Sequence, residues 1–304
     1  MKLKTKDLLT LAELTPKEFS GLINDSIKLK KEFKNKGNTP VLKNKTLTMI
    51  FQKPSTRTRV SFETGMYQLG GHAINLSFND MQLSRGESVE DTAKTLSRYT
   101  DCIMARVYEH EFLEKLSKYS TVPVINGLSD IFHPCQILAD FMTIKEKKKK
   151  FKGLKIAWIG DGNNVCNSMM YGAALSGVSM SIATPKGFEP NKDVLKESKK
   201  STDIELTTDP FTATKNADVV VSDTFSSIHN RDQKRIKKFF PKYQVTPKLM
   251  NSANKDAIFM HCLPAKRNQE VTASVIDGSQ SVVWDEVENR LHVQKSLLTA
   301  LIHD

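Results

Sequence analysis

The chain is 304 residues long, 39% hydrophobic and 26% charged, which excludes disordered, collagenous and repeat architectures and suffices for one large or two medium domains. Its 45 basic residues exceed its 34 acidic ones to give a formal charge of +11. Most of the excess is lysine in scattered runs such as Lys145–Lys150 and Lys234–Lys238; with no nucleic-acid motif beside them, these are read as solvated surface and no nucleic-acid partner is expected. No apolar run approaches the roughly 20 residues of a bilayer span. Asp7 and Glu13 break the Met1–Thr15 start, and Cys102, Cys135, Cys166 and Cys262 show no paired spacing, so a cytoplasmic protein with free thiols and no membrane partner is expected.

In chain order, Thr15-Pro16-Lys17-Glu18 reads as a helix start. There follow a strand Leu47–Phe51, a polar turn, a helix Arg59–Leu69, a strand Ala73–Ser77, a helix Ser88–Tyr99, a strand Cys102–Val107, a helix Glu111–Tyr119, a strand Val122–Asn126 and a long helix His133–Lys147. The charged stretch Lys148–Gly153 precedes a fresh series of strands, Lys155–Ile159, Ser179–Ala183, Asp218–Val221, Ala257–Met260 and Ser281–Val283, and a last helix Arg290–Ile302. Such alternation predicts parallel sheets with helices on both faces. Two α/β domains are expected: residues 1–149, completed by the C-terminal helix 290–304, and residues 150–289, joined by long helices.

Arginine is used sparingly. Of nine arginines, Arg57, Arg59, Arg106, Arg267 and Arg290 fall in or beside chemically suggestive segments, as expected if arginine is kept for planar, bidentate recognition of phosphate or carboxyl groups. Pro54-Ser55-Thr56-Arg57-Thr58-Arg59 lies between a strand and a helix, where orphan N–H groups and the helix dipole make an anion cradle. Its three hydroxyls and two arginines exceed what capping requires. His133-Pro134-Cys135-Gln136 opens a helix; the histidine and glutamine can meet the two ends of a carbamoyl unit, although a helix-capping histidine explains the pattern equally well. Arg106 falls at a strand's carboxyl end, where open α/β sheets hold ligands.

Gly160-Asp161-Gly162-Asn163-Asn164 also follows a strand, but the third glycine of a dinucleotide fingerprint would fall at Val165. Its asparagines suit a small polar ligand such as an amino-acid carboxylate, or serve a tight turn. Asp223 and His261-Cys262-Leu263-Pro264 lie at further strand ends; the aspartate suits an ammonium, and the histidine–cysteine spacings match no known zinc site.

Taken in order, Ser55-Thr56-Arg57-Thr58-Arg59, Gln82, Arg106, His133-Pro134-Cys135-Gln136, Gly160–Asn164, His261-Cys262-Leu263-Pro264 and Glu288-Asn289-Arg290 resemble the ornithine branch of the transcarbamylase family along essentially the whole chain. The resemblance implies transfer of a carbamoyl group from carbamoyl phosphate to ornithine in an interdomain cleft, with no cofactor and no metal. It implies carbamoyl phosphate held by Ser55, Thr56, Arg57, Thr58 and Arg59, with Arg106, His133, Pro134, Cys135, Gln136 and Arg290 completing the site. It implies a homotrimer in which Gln82 serves a neighbouring subunit. Ornithine would meet Asn164, Asp223, Ser227, the backbone of Ile228, Cys262 and Leu263. The residues implied in catalysis are Arg57, Arg106, His133 and Cys262.

One segment departs from the family pattern. Members usually carry Asp-Val-Trp-x-Ser-Met-Gly where this chain reads Asp223-Thr224-Phe225-Ser226-Ser227-Ile228-His229. The change bears on the acceptor, so putrescine and an acylated ornithine stand as alternative acceptors. Aspartate is disfavoured, because aspartate transcarbamylases typically show His-Pro-Leu-Pro and a mobile-loop lysine where this chain has His261-Cys262-Leu263-Pro264 and Gln82-Leu83-Ser84-Arg85. A basic nucleic-acid-binding protein on a degenerate enzyme fold is the remaining alternative, to be tested by a salt-dependent gel shift.

Overall fold

Thr15 starts the first helix, α1 (Pro16–Lys36), through a reciprocal capping box with Glu18. The computed structural model describes residues 1–38, 40–225 and 233–302. It divides into two compact units, Met1–Met142 with Glu288–Asp304, and Thr143–Val287. No described helix is long and apolar enough to cross a membrane.

In the first unit the chain runs β1 (Thr46–Phe51), α2 (Thr56–Gln68), β2 (His72–Ser77), α3 (Val89–Tyr99), β3 (Cys102–Arg106), α4 (His110–Tyr119), β4 (Val124–Leu128) and the start of α5 (Pro134–Lys148), whose residues from Thr143 on belong to the second. Two 3-10 turns, Phe78–Asp80 and Gln82–Arg85, separate β2 from α3. Among the described residues these strands form one parallel sheet in the order β2-β1-β3-β4. β1 is buried along Leu47–Phe51, as expected of a central strand covered on both faces; Ile50, Ile103, Ala105, Leu113, Leu116 and Val124 share one core.

The second unit runs β5 (Lys155–Ile159), α6 (Asn164–Ser176), β6 (Ser179–Ala183), α7 (Lys192–Ser198), β7 (Ile204–Thr207), α8 (Pro210–Thr214), β8 (Val219–Ser222), α9 (Gln233–Phe239), α10 (Pro247–Met250), β9 (Ile258–His261) and α11 (Ala273–Ile276), before α12 (Val283–Leu301). Its parallel sheet has the order β7-β6-β5-β8-β9, over a core that includes Ala157, Ile159, Val220, Phe225, Phe239 and Phe259.

Two expectations are corrected here. Ser281–Val283 is not a strand: Ser281 makes a single bridge to Phe259, and the chain turns into α12 at Val283. That helix accordingly begins seven residues before Arg290, with Asp285 and Glu286 in its first turn, where the dipole favours acids. β7, a short edge strand with Glu205 and Leu206 exposed, had no apolar run to announce it.

Each sheet reverses its winding at one place, and the crevice outside the strand ends there is where such folds bind ligands. In the first unit the reversal lies between β1 and β3, in the second between β5 and β8.

Candidate functional site

At the first reversal the register pairs Phe51 with Arg106, so the segment Gln52–Arg57 and the Arg106 side chain leave the sheet side by side. Ser55 is the N-cap of α2, its hydroxyl accepting from Thr58 N–H. Thr58, nearly fully buried, is the meeting point: its Oγ1 accepts from Arg106 Nη1 at 3.2 Å and from Arg290 Nη2 at 3.5 Å. Arg290, buried on α12, also donates through Nη1 to Gln136 Oε1 and lies 3.5 Å from His133 Nε2. Gln136 Nε2 donates in turn to Asp140 Oδ1 at 2.8 Å. Two helix starts and one strand end thus converge on a positively charged recess, and Arg57 stands half-buried in the first turn of α2.

Burial, reinforced by Arg290, Arg106 and Arg57, drives the His133 imidazole well below its ordinary value. It is therefore neutral at physiological pH and carries one N–H. Lys53, buried just ahead of the loop, has its ammonium 4.4 Å from the centre of the Tyr108 ring. Desolvation, with Arg106 nearby, lowers its value to about 8.

Other expected members lie differently. Pro134 occupies the first position of α5. Cys135 is fully buried, its thiol donating to Asn126 O at 3.5 Å and pushed up by burial to about 12. Arg59 pairs with Glu63 at 2.9 Å on the exposed side of α2, Thr56 is exposed, and Gln82 is exposed on its 3-10 turn.

At the second reversal the register sets Ile159, Ser222 and His261 level, so Gly160, Asp223 and Cys262 follow together. Asp223, buried, accepts from Asn163 Nδ2 at 2.7 Å, from Thr224 N–H at 2.7 Å and from the Cys262 thiol at 3.2 Å. Asn163 is also the N-cap of α6, and Asn164 stands half-buried at the first helical position. Gly160 holds φ 136°, and a Cβ on Gly162 would fall 2.2 Å from Pro190 N; both glycines are required by the turn itself. Ser227, Ile228 and His229 lie outside the described residues.

The loop after β9 is held from beneath. Leu263 N–H donates to His261 Nδ1 at 2.9 Å, and His261 Nε2 lies 3.4 Å from Glu270 Oε1, both side chains fully buried. Leu263 carries φ 54°, a strained conformation that this support maintains. Asp223, His261 and Cys262 present atoms within 4.8 Å of one another, close enough to hold a metal; both ring nitrogens of His261 already face protein groups, so the set is short of a tetrahedral site. Sequence reasoning missed Lys53, Asp140 and Glu270, and with them the ion pair of Asp161 with Arg235 of α9. Asp140 was within reach, since it follows Gln136 by four residues on one helix face.

Residues 6–146 match the carbamoyl-phosphate-binding domain of aspartate/ornithine carbamoyltransferase, and residues 152–301 match its aspartate/ornithine-binding domain. An ornithine carbamoyltransferase of Cenarchaeum symbiosum is 60% identical over 301 residues, 99% of each chain. The solved ornithine carbamoyltransferase of Pyrococcus furiosus superposes with a TM-score of 0.95 at 48% identity, covering 99% of this chain and 98% of that one. The anabolic enzyme of Campylobacter jejuni does so at 0.90 and 42%, covering 99% of both. With both domain models matched in order along the chain and full-length relatives of that kind, this chain belongs to the aspartate/ornithine carbamoyltransferase family.

Proposed function

We propose that the protein transfers the carbamoyl group of carbamoyl phosphate to the side-chain amine of L-ornithine, giving L-citrulline and phosphate. The observation that carries this is Thr58 between Arg106 and Arg290, with His133 and Gln136 on the same arginine. The first turn of α2, with Ser55, Thr56, Thr58 and Arg57, takes the phosphate. Thr58, Arg106 and the neutral N–H of His133 polarise the carbamoyl oxygen. Gln136, joined to Arg290, is the amide set against the carbamoyl NH2. The neutral amine attacks the carbamoyl carbon, forming the C–N bond; the bond from that carbon to the bridging oxygen then breaks, phosphate departs with that oxygen against the arginines, and the proton lost by the attacking nitrogen passes to the departing phosphate.

At the acceptor end Asp223 receives the α-ammonium and Asn164 the α-carboxylate, with Ser227 and the Ile228 backbone added by family likeness, and Cys262 and Leu263 beside the attacking amine. A cytoplasmic homotrimer in arginine biosynthesis, with Gln82 serving a neighbour's site, completes the proposal. Steady-state kinetics with carbamoyl phosphate and ornithine, putrescine or N-acetylornithine test it: citrulline formation with the highest kcat/KM for ornithine is expected. A higher value for either competitor would replace the acceptor while leaving the donor.

A further inference from the structure

The connection from β3 to α4 touches both of the loops that feed the carbamoyl phosphate recess. On one side Gln52, which opens the phosphate loop, donates through its backbone N–H to Arg106 O at 2.9 Å and accepts at Oε1 from Tyr108 N–H at 2.8 Å. On the other, Tyr108 O accepts from Asp130 N–H at 3.2 Å, and Asp130 Oδ1 accepts from His110 N–H at 2.9 Å. Glu109, the N-cap of α4, makes no side-chain cap bond. The carboxylate that meets the orphan N–H of that helix start is borrowed from the loop after β4.

The borrowed loop is the one that delivers His133. It closes on Ser129, whose N–H donates to Phe132 O at 2.9 Å and whose hydroxyl accepts from Phe132 N–H at 3.2 Å. The same hydroxyl lies 2.9 Å from His110 Nδ1 and 3.4 Å from Phe132 O; of these two contacts the imidazole makes the shorter bond. The His110 ring also meets the Phe132 ring edge-on, with centres 5.1 Å apart. Ser129 is fully buried and His110 nearly so. Burial lowers the His110 imidazole below its ordinary value against the pull of Glu114, Asp130 and Glu13, so the ring is neutral, and its Nδ1 can take the serine's proton when Nε2 carries its own.

We propose that His110 is a positioning residue for the transfer: through Ser129 and Phe132 it fixes the loop that aims the His133 imidazole at the carbamoyl oxygen. The proposal rests on His133 polarising that oxygen. It works through the backbone, since His133 follows Phe132 directly and Pro134 then enters α5. A misplacement of about 1 Å there would misdirect an N–H whose use depends on alignment.

The experiment measures kcat and both KM values for His110→Leu, His110→Asn, His133→Asn, and His110→Leu combined with His133→Asn. Leucine keeps apolar bulk and loses the bond, so kcat should fall about ten- to a hundredfold with the ornithine KM nearly unchanged. Asparagine brings an amide toward the place of Nδ1 and should recover most of that loss. His133→Asn alone should be slower than His110→Leu, and the double variant should be no slower than His133→Asn, because nothing is left to aim. A brace that only supports the fold would instead slow the double variant by the product of the two single effects. That product, an unchanged kcat in His110→Leu, or no recovery with asparagine overturns the proposal. Should His110→Leu fail to fold by thermal unfolding, Ser129→Ala takes its place in the same cycle, with the same outcomes for and against. A normal kcat in His133→Asn would overturn the reading of His133 and this proposal with it, whereas a slow His133→Asn with multiplying effects overturns the proposal alone.

Discussion

Thr58 Oγ1 accepts from Arg106 and Arg290, and a hydroxyl so placed has its own proton left to direct at a ligand oxygen. Arg57, one residue earlier, stands half-buried in the first turn of α2, and the proposed function assigns it to the leaving phosphate. Arg57→Ala should lower kcat about a hundred- to a thousandfold, the usual cost of deleting a donor that acts where transition-state charge builds. Arg57→Lys should recover little, because a point charge does not replace a planar fork; near-normal turnover in either variant would remove Arg57 from the reaction. His133, held neutral by burial and three arginines, should not titrate across the working range. The ornithine kcat/KM should therefore climb with pH as the amine, ordinarily near 10.4, deprotonates. An inflection near the ordinary imidazole value that disappears in His133→Asn would contradict this. Lys53 works in the opposite direction. Its ammonium loses its proton as pH rises through about 8, weakening the positive field behind the phosphate loop, so the carbamoyl phosphate KM should increase above that pH. In Lys53→Arg, which stays charged, the increase should vanish.

The loop–helix junctions are where function was most legible in the sequence. Ser55 and Asn163 mark their helix starts by residue type, and the strands before them are apolar runs. Chemistry carried by single side chains was less so. Cys135 and Gln136 are sequence neighbours, yet successive positions on a helix diverge by about 100°, so the thiol turns into the core while the amide joins Arg290. Lys53, Asp161 and Arg235 were invisible because each meets a partner distant in the chain, Tyr108 for the lysine and one another for the ion pair, and Glu270 because only the fold of the loop after β9 brings it under His261. Gly160–Asn164 carried a phosphate-loop look, and the structure gives its second glycine a different reason: the three atoms nearest a Cβ on Gly162 would all be backbone, Pro190 N at 2.2 Å, Glu189 C at 2.5 Å and Phe188 O at 2.7 Å. Gly162→Ala should consequently destabilise the protein by roughly 1–3 kcal/mol, as overpacking does where nothing flexible can yield. Because Asn163 and Asn164 follow directly, the ornithine KM should rise as well. Chemical denaturation and acceptor kinetics on the one variant check both; an unaltered midpoint would show that the 188–190 turn can move aside at no cost.

At the scale of the assembled molecule, Gln82 is the residue whose proposed role one chain cannot fulfil. It stands exposed on the Gln82–Arg85 turn, and family likeness sends it to a neighbouring subunit's carbamoyl phosphate. The edge strand β2 just before it leaves His72 and Ile74 exposed, and on the helix before that Val60 and Tyr67 are 54% and 73% exposed; in the proposed trimer these are side chains that a second copy of the chain could cover. Shared sites have a consequence that separate sites do not. Gln82→Ala and Arg57→Ala should each be nearly inactive as homotrimers. When the two are dissociated and reassembled together, some sites will combine an intact Arg57 from one subunit with an intact Gln82 from its neighbour. In a randomly mixed ring of equal proportions such sites are about one quarter of the total, so about one quarter of the parent activity should return. The check is activity after co-refolding, with oligomer mass followed by light scattering. Hybrid oligomers of the right mass that stay inactive would place Gln82 and Arg57 in the same subunit's site.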